Sequence, residues 1–105
     1  QTANDQDGII AMADKMLEQN PANALAQKIR LQAYLTKKDY AKVIELGEAA
    51  AAAQPDETEK SDVYFILGAA YNAKEMKPQA IEALKKVTAG DNVAAAQKSV
   101  AELSK

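Results

Sequence analysis

The stretch YFILGAAY, residues 64–71, is apolar over almost its whole length and has a glycine in the middle of a helical pattern. A glycine inside a helix costs about 1 kcal/mol relative to alanine. Such a residue is expected where another backbone comes close to the helix. Gly68 therefore indicates a helix that packs tightly against a second helix, and the rest of the chain indicates which one.

Composition and charge limit the number of domains and the class of partner. The chain has 105 residues, of which 48% are hydrophobic, and this is enough for one ordinary domain with a modest core. Thirteen basic and fifteen acidic residues give a net charge of -2. A chain with this balance has no basic field that attracts phosphate backbones or anionic lipid. We therefore predict that nucleic acid is not a partner.

Several residue types that carry chemistry are absent. The chain has no histidine, no cysteine and a single arginine, Arg30, so it lacks the usual proton shuttle, the soft metal ligands and most oxyanion clamps. We predict no enzymatic activity, no cofactor and no metal. The stretch 5–8, DQDG, has its acidic residues out of register with a calcium loop. We interpret it as a frayed polar terminus with Asp7 as a helix cap.

The hydrophobic runs are short. The longest uncharged apolar run, residues 63–71, has nine residues, whereas a helix needs about 18 to 20 to span a bilayer. We predict a soluble protein without membrane insertion. The chain begins with Gln1 rather than methionine, as it would after removal of a secretory signal, and the sequence leaves export and a cytoplasmic location open.

Apolar periodicity predicts an all-α protein with six helices and no strand. Asp39 is the expected N-cap of the third helix, Pro78 fits the first turn of the fifth and Gly90 fits the C-terminal cap of that helix. The charged stretch DETEKSD is expected to connect the third and fourth helices. Connections this short make neighbouring helices antiparallel. The predicted ranges are about 7–19, 23–36, 40–53 and 61–73, a fifth helix that starts near Pro78 and is capped by Gly90, and 93–104.

Two prolines and the stretch 64–71 indicate an internal repeat. Pro21 and Pro55 each follow an amphipathic helix and lie 34 residues apart, which is the period of the tetratricopeptide repeat. The segment Tyr64-x2-Leu67-Gly68-x2-Tyr71, followed by Ala80-x3-Leu84, has the spacing of that repeat, with Tyr for Trp and Leu for Phe. It resembles a tetratricopeptide repeat. This resemblance implies that Gly68 and Ala80 are the small residues that face each other across a helical hairpin.

The resemblance extends over nearly the whole chain. In the preceding unit Tyr34, Tyr40 and Pro55 match the repeat, while Leu31 and Gly47 depart from it in size. The family implies a right-handed solenoid of antiparallel hairpins, here one domain over 1–105. Its parts are a half-repeat helix (7–19), two repeats (23–55 and 61–92) and a capping helix (93–104). The second repeat starts three residues late, which we interpret as an insertion in the loop 56–62.

The family binds ligands on its concave face, which is lined by the first helix of each hairpin. Members that hold a peptide's terminal carboxylate place lysine, asparagine and arginine there, and only Lys28 and Asn72 match that pattern. We expect Phe65, as an exposed phenylalanine, to act as an apolar anchor instead, together with Leu35. The positions of this chain that match the concave face are Lys28, Gln32, Leu35, Phe65, Ala69, Asn72 and Ser99.

Two functions follow from this resemblance. The first is an adaptor or scaffold module that binds a peptide or a partner helix in the concave groove. The alternative is a structural element that self-associates, or joins a longer array of repeats, through its terminal helices. A third interpretation is that the seven residues line a shallow surface without a specific ligand.

Overall fold

The structure is a computed structural model that describes residues 4–105, so the first residues of the predicted domain lie outside the described part. It contains six helices and, over this range, no strand, which confirms the all-α prediction. The helices are α1 (Asn4–Gln19), α2 (Ala24–Thr36), α3 (Tyr40–Ala53), α4 (Glu57–Ala73), α5 (Lys77–Lys85) and α6 (Val93–Leu103).

Short polar side chains fix the start of three helices. Asn23, Asp39 and Asp56 precede α2, α3 and α4, and the side-chain oxygen of each accepts a hydrogen bond from a backbone N–H in the first turn. These bonds satisfy donors that have no partner within the helix. The prediction for Asp39 is confirmed, and so is the place of Pro78 in the first turn of α5.

The fourth helix starts earlier than the sequence predicts. Residues 57–62 are helical, so the prediction of a connection over 56–62 is wrong. The Asp56 carboxylate accepts a hydrogen bond from the backbone N–H of Glu59 at 2.9 Å, and Glu57 and Glu59 lie in the first turn, where negative charge stabilises a helix. The three extra residues therefore lengthen α4 instead of forming a loop.

The fifth helix ends earlier than predicted. It stops at Lys85, and Gly90, with a positive φ of 91°, lies in the following loop instead of capping the helix. The buried hydroxyl of Ser61 holds this loop, because it accepts hydrogen bonds from the backbone N–H groups of Thr88 at 3.1 Å and Ala89 at 3.2 Å. The loop is thus attached to α4.

The first helix also differs from the prediction at its start. Since α1 begins at Asn4, Asp7 lies within its first turn and is not the cap. The Asp7 carboxylate instead accepts a hydrogen bond from the amine of Lys37, just after α2. A second ion pair joins Arg30 of α2 to Asp14 of α1 at 3.0 Å.

The core consists of two clusters of buried apolar residues. Each helix packs against the next one along the chain, and α2 also packs against α4. Tyr34 and Tyr40 pack against the first cluster, Phe65 packs against the second, and Tyr64 contacts both. The first cluster contains Leu31, Val43, Ala50, Ala51, Val63, Ile66 and Ala70, and the second contains Leu84, Val87 and Ala96.

Two glycines mark the closest approaches between helices. A Cβ atom on Gly68 would lie 2.6 Å from Cγ of Leu84 on α5, and one on Gly47 would lie 2.3 Å from Cδ2 of Leu67 on α4. The nearest side chain to Gly68 is therefore Leu84, one turn beyond the predicted Ala80. At Gly47, where the repeat pattern predicts a larger residue, Leu67 occupies the space in front of the helix.

None of the helices in the described range combines the length and the apolar character that crossing a membrane requires.

Candidate functional site

A small cleft between α4 and α6 contains four of the seven predicted site residues. Phe65, Ala69 and Asn72 of α4 and Ser99 of α6 line it together with Gly68 and Leu84, and its volume is about 120 Å³. One water occupies about 30 Å³ of liquid, and pockets for drug-sized ligands run from about 300 to 1,000 Å³. The cleft therefore has room for one side chain of a partner and not for a larger organic ligand.

The spacing along α4 explains how these residues come together. Positions 65, 69 and 72 follow the i, i+4, i+7 pattern, so their side chains lie on one face of the helix. Gly68 has no side chain and Ala69 a short one, which leaves space beside the helix. Ala69 and Asn72 are exposed and Ser99 is half-buried. The cleft thus presents an amide and a hydroxyl beside apolar walls.

The expectation of an exposed Phe65 is wrong. Its side chain is half-buried and packs against the second core cluster. In the described part of the chain, the large apolar side chains that are exposed are Met12 at 62%, Leu25 at 59% and Ile29 at 38%. Phe65 consequently forms a wall of the cleft and also supports the fold, because α5 and α6 cover part of it.

The three predicted site residues on α2 do not line this cleft. Leu35 is half-buried and packs against the first core cluster. Gln32 is exposed, and its side-chain amide lies 3.4 Å from the hydroxyl of Thr36 on the same helix. The third, Lys28, belongs to a group of charges between α2 and α4.

Lys28 connects α2 to two carboxylates of α4. Its amine donates hydrogen bonds to Glu59 and, at 2.9 Å, to Asp62. The other Asp62 oxygen accepts a hydrogen bond from the side-chain amide of Asn92 at 3.2 Å, just before α6. Partial burial lowers the pKa of Lys28, but the hydrogen bonds to Glu59 and Asp62 outweigh it and raise the pKa above its ordinary value. The lysine charge is thus balanced within the protein.

Sequence reasoning missed an apolar stripe on α2. Leu25 and Ile29 are exposed, and with Gln32 and Thr36 they form one row at spacings of four, three and four residues. The signal was present, because at 100° per residue Leu25 and Ile29 point well away from the buried Leu31. Leu25 also lines a second cleft of about 440 Å³, together with Asn23, Ala24, Gln54, Pro55, Asp56 and Glu59.

The buried polar groups of the described residues all have partners. Two polar residues are buried, Gln54 and Ser61, and no buried side-chain nitrogen or oxygen in this range lacks a hydrogen bond. Gln54 donates to the carbonyl oxygens of Ala24 at 3.0 Å and Ala50 at 2.9 Å. These side chains therefore stabilise the fold. Within residues 4–105, no group of three acidic, histidine or cysteine residues could hold a metal ion.

The chain was compared with models of protein families, with curated proteins and with solved structures. None of the three comparisons gives a match. The function is therefore inferred from the geometry of the surface and from the resemblance to the repeat.

Proposed function

We propose that this chain is a protein-interaction module of the tetratricopeptide kind, which binds a peptide or a partner helix on the face shared by α2, α4 and α6. The observation that carries the proposal is the shared cleft of Phe65, Ala69, Asn72 and Ser99. Four residues chosen from the repeat pattern, on two helices, line the same cleft.

Contacts between alternate helices support a solenoid. In a stack of hairpins the first helices lie side by side, and here α2 packs against α4. The ion pairs of Lys28 with Glu59 and Asp62 join α2 to α4, and the bond from Asn92 to Asp62 joins α4 to the start of α6. These contacts connect α2 to α4 and α4 to α6, which are the first helices of successive hairpins in the proposed solenoid. They favour the arrangement in which α2, α4 and α6 form one concave face.

The cleft favours an uncharged apolar side chain of the partner. Its walls include Phe65 and Leu84, while Asn72 and Ser99 provide the polar groups. The Asn72 amide and the Ser99 hydroxyl can each donate to and accept from a peptide backbone. The exposed Leu25 and Ile29 of α2 would contact a second apolar residue of the same partner. Two apolar anchors on one face, about one interhelical distance apart, are what a partner helix presents at positions such as i and i+7.

The test uses a peptide selected from a displayed random library against the whole chain. We would measure its affinity for Ala69→Trp, which fills the cleft from an exposed position, and for Asn72→Ala, which removes the amide. An anchor that loses its pocket costs about 1 to 3 kcal/mol, so we expect Ala69→Trp to weaken binding by about 5-fold to about 150-fold. Far-UV circular dichroism would confirm that both variants are folded.

The control variant is on α3, which is not one of the helices of the proposed binding face. Glu45 on α3 is exposed, and within residues 4–105 its one ion pair is a loose one with Lys42 at 3.9 Å, so Glu45→Ala should bind as the wild type does. Lys86 is a poor control, since its amine lies 5.2 Å from the ring centroid of Tyr64. If Ala69→Trp and Glu45→Ala bind the selected peptide equally well, the cleft is not the binding site.

A further inference from the structure

The second cleft, which lies at the starts of α2 and α4, has two carboxylates in its lining. Its volume is about 440 Å³, and Asp56 and Glu59 line it together with the exposed Leu25 and Pro55. No lysine or arginine of the described residues lines it. The groove between α5 and α6, of about 410 Å³, differs in this respect, since Lys85 is the charged residue of its lining. The second cleft therefore favours a positively charged ligand.

The side chain of Gln54 presents a further acceptor to the second cleft. Gln54 is 5% exposed, and its amide nitrogen donates to the backbone carbonyl oxygens of Ala24 and Ala50. Because both partners are acceptors, the orientation of the amide is fixed. The amide oxygen accepts no hydrogen bond from the described residues, and since no buried side-chain oxygen in this range lacks a partner, solvent must reach it. Gln54 lines the second cleft, so a ligand there can donate to this oxygen.

The ion pairs around the second cleft leave an excess of negative charge. The Lys28 amine donates to both Glu59 and Asp62, so two carboxylates share one positive charge. Asp56 accepts a hydrogen bond from the backbone N–H of Glu59 and has no ion pair in the described part of the chain. These three carboxylates and one lysine give a net charge of -2. The two other charged side chains of residues 56–62 have opposite sign and cancel. A field of this sign attracts a cation.

A long basic side chain matches both the polar and the apolar part of the lining. Lysine and arginine have an apolar stem and a charged end. The stem would lie on Leu25, which is 59% exposed, and on Pro55. The charged end would donate to the side-chain oxygens of Gln54, Asp56 and Glu59. An ammonium group has three N–H donors and a guanidinium group has five, so either can supply these acceptors.

We propose that the second cleft binds a lysine or arginine side chain of the partner, next to the apolar residue that contacts Leu25 and Ile29. This inference rests on the proposed function, because Leu25 belongs both to the exposed stripe of α2 and to the second cleft. The partner is then a basic amphipathic peptide or helix, which combines apolar anchors with a positive charge near the starts of α2 and α4. Charge complementarity of this kind fixes the orientation of the partner and speeds its association at low salt.

The test uses peptides selected from a displayed random library against the whole chain at low salt. We expect them to contain lysine or arginine at a fixed position relative to their apolar residues. The double variant Asp56→Asn/Glu59→Gln removes two charges from the second cleft, while asparagine remains a good N-cap and glutamine can still accept from Lys28. It should bind the selected peptide about 3-fold to 10-fold more weakly, as expected for two partly exposed charge pairs.

The control variant Glu45→Gln/Glu82→Gln removes the same number of charges from exposed positions of α3 and α5, and it should bind as the wild type does. A second comparison changes the peptide, with citrulline in place of its arginine or acetyl-lysine in place of its lysine. This change should weaken binding to the wild type by the same factor and should have little effect on binding to the double variant Asp56→Asn/Glu59→Gln. Both differences should shrink at about 1 M salt, where the Debye length is about 3 Å.

The outcomes separate this inference from the proposed function. If Ala69→Trp weakens binding but Asp56→Asn/Glu59→Gln binds as well as the control variant, the inference is wrong and the proposed function stands. Selected peptides without enriched lysine or arginine also overturn the inference. If Ala69→Trp has no effect, the proposed function fails, whereas a loss on citrulline substitution that disappears in the double variant still supports the cation site. Thermal melts check that all variants are folded.

Discussion

Gly47 on α3 faces Leu67 of α4, and we predict that Gly47→Ala destabilises the protein although alanine is the better helix former. The new Cβ would lie 2.3, 2.5 and 2.8 Å from Cδ2, Cγ and Cδ1 of Leu67. Ordinary contacts of this kind are 3.4–4 Å. Because Leu67 is fully buried, it has little space into which it can move.

The magnitude follows from two opposing effects. Overpacking a core costs about 1 to 3 kcal/mol, and three contacts this short place Gly47→Ala at the upper end of that range. Alanine in place of glycine in a helix recovers about 1 kcal/mol. We therefore expect a net loss of about 2 kcal/mol in the free energy of unfolding. In a domain of this size each kcal/mol lowers the melting temperature by about 4 to 8 °C.

The assay is urea unfolding followed by circular dichroism, with Gly8→Ala as the matched control. Gly8 is also helical, but a Cβ atom there meets nothing within 4 Å, so this change should stabilise the protein by up to about 1 kcal/mol. In a Leu67→Ala background the clash is gone, and Gly47→Ala should no longer destabilise. A Gly47→Ala protein at least as stable as the wild type, or equally destabilised in both backgrounds, would refute the packing of α3 on α4.

Three further changes test other contacts by the same unfolding assay. Gly68→Leu should cost about 1 to 3 kcal/mol, since its side chain would enter the space of Leu84, and an unchanged melting temperature would contradict this. Ser61→Ala should cost about 1 to 3 kcal/mol, because two loop N–H groups lose their acceptor, whereas exposed Ser104→Ala should have no effect. Lys28→Met should cost about 1 kcal/mol near neutral pH, as the charge pairs are partly exposed. The pKa of Lys28 in the folded state is raised above 10.5. The stabilisation of the fold by its ion pairs should therefore be complete below that pH and should disappear as the pH rises through the folded-state pKa. A Lys28→Met deficit that persists unchanged at still higher pH would argue against the ion pairs as its cause.

Much of the helical organisation was predictable from local pattern. Apolar periodicity predicts six helices, and Asp39 and Pro78 are cap and first-turn residues in the structure. The start of α4 was not predictable from periodicity, since its first turn has no apolar residue to mark the buried side. It depends on the cap at Asp56 and on the acidic residues that follow.

The candidate site was predictable only in part. The spacing of Phe65, Ala69 and Asn72 places them on one helix face without knowledge of the tertiary structure. That Phe65 is half-buried depends on how α5 and α6 cover α4, which no local pattern contains. The role of Lys28 was missed because its partner Glu59 lies 31 positions away, in a segment that the sequence predicts as a loop.

The most direct measurement of the central claim is chemical-shift mapping of the ¹⁵N-labelled chain with the peptide selected from the library. We expect the largest shifts at the backbone amides of Ala69, Asn72 and Ser99, around the cleft between α4 and α6. Smaller shifts should appear at Leu25 and Ile29 on the exposed stripe of α2. If the shifts are instead confined to α1, α3 or the groove between α5 and α6, the partner binds elsewhere and the proposed binding face is wrong.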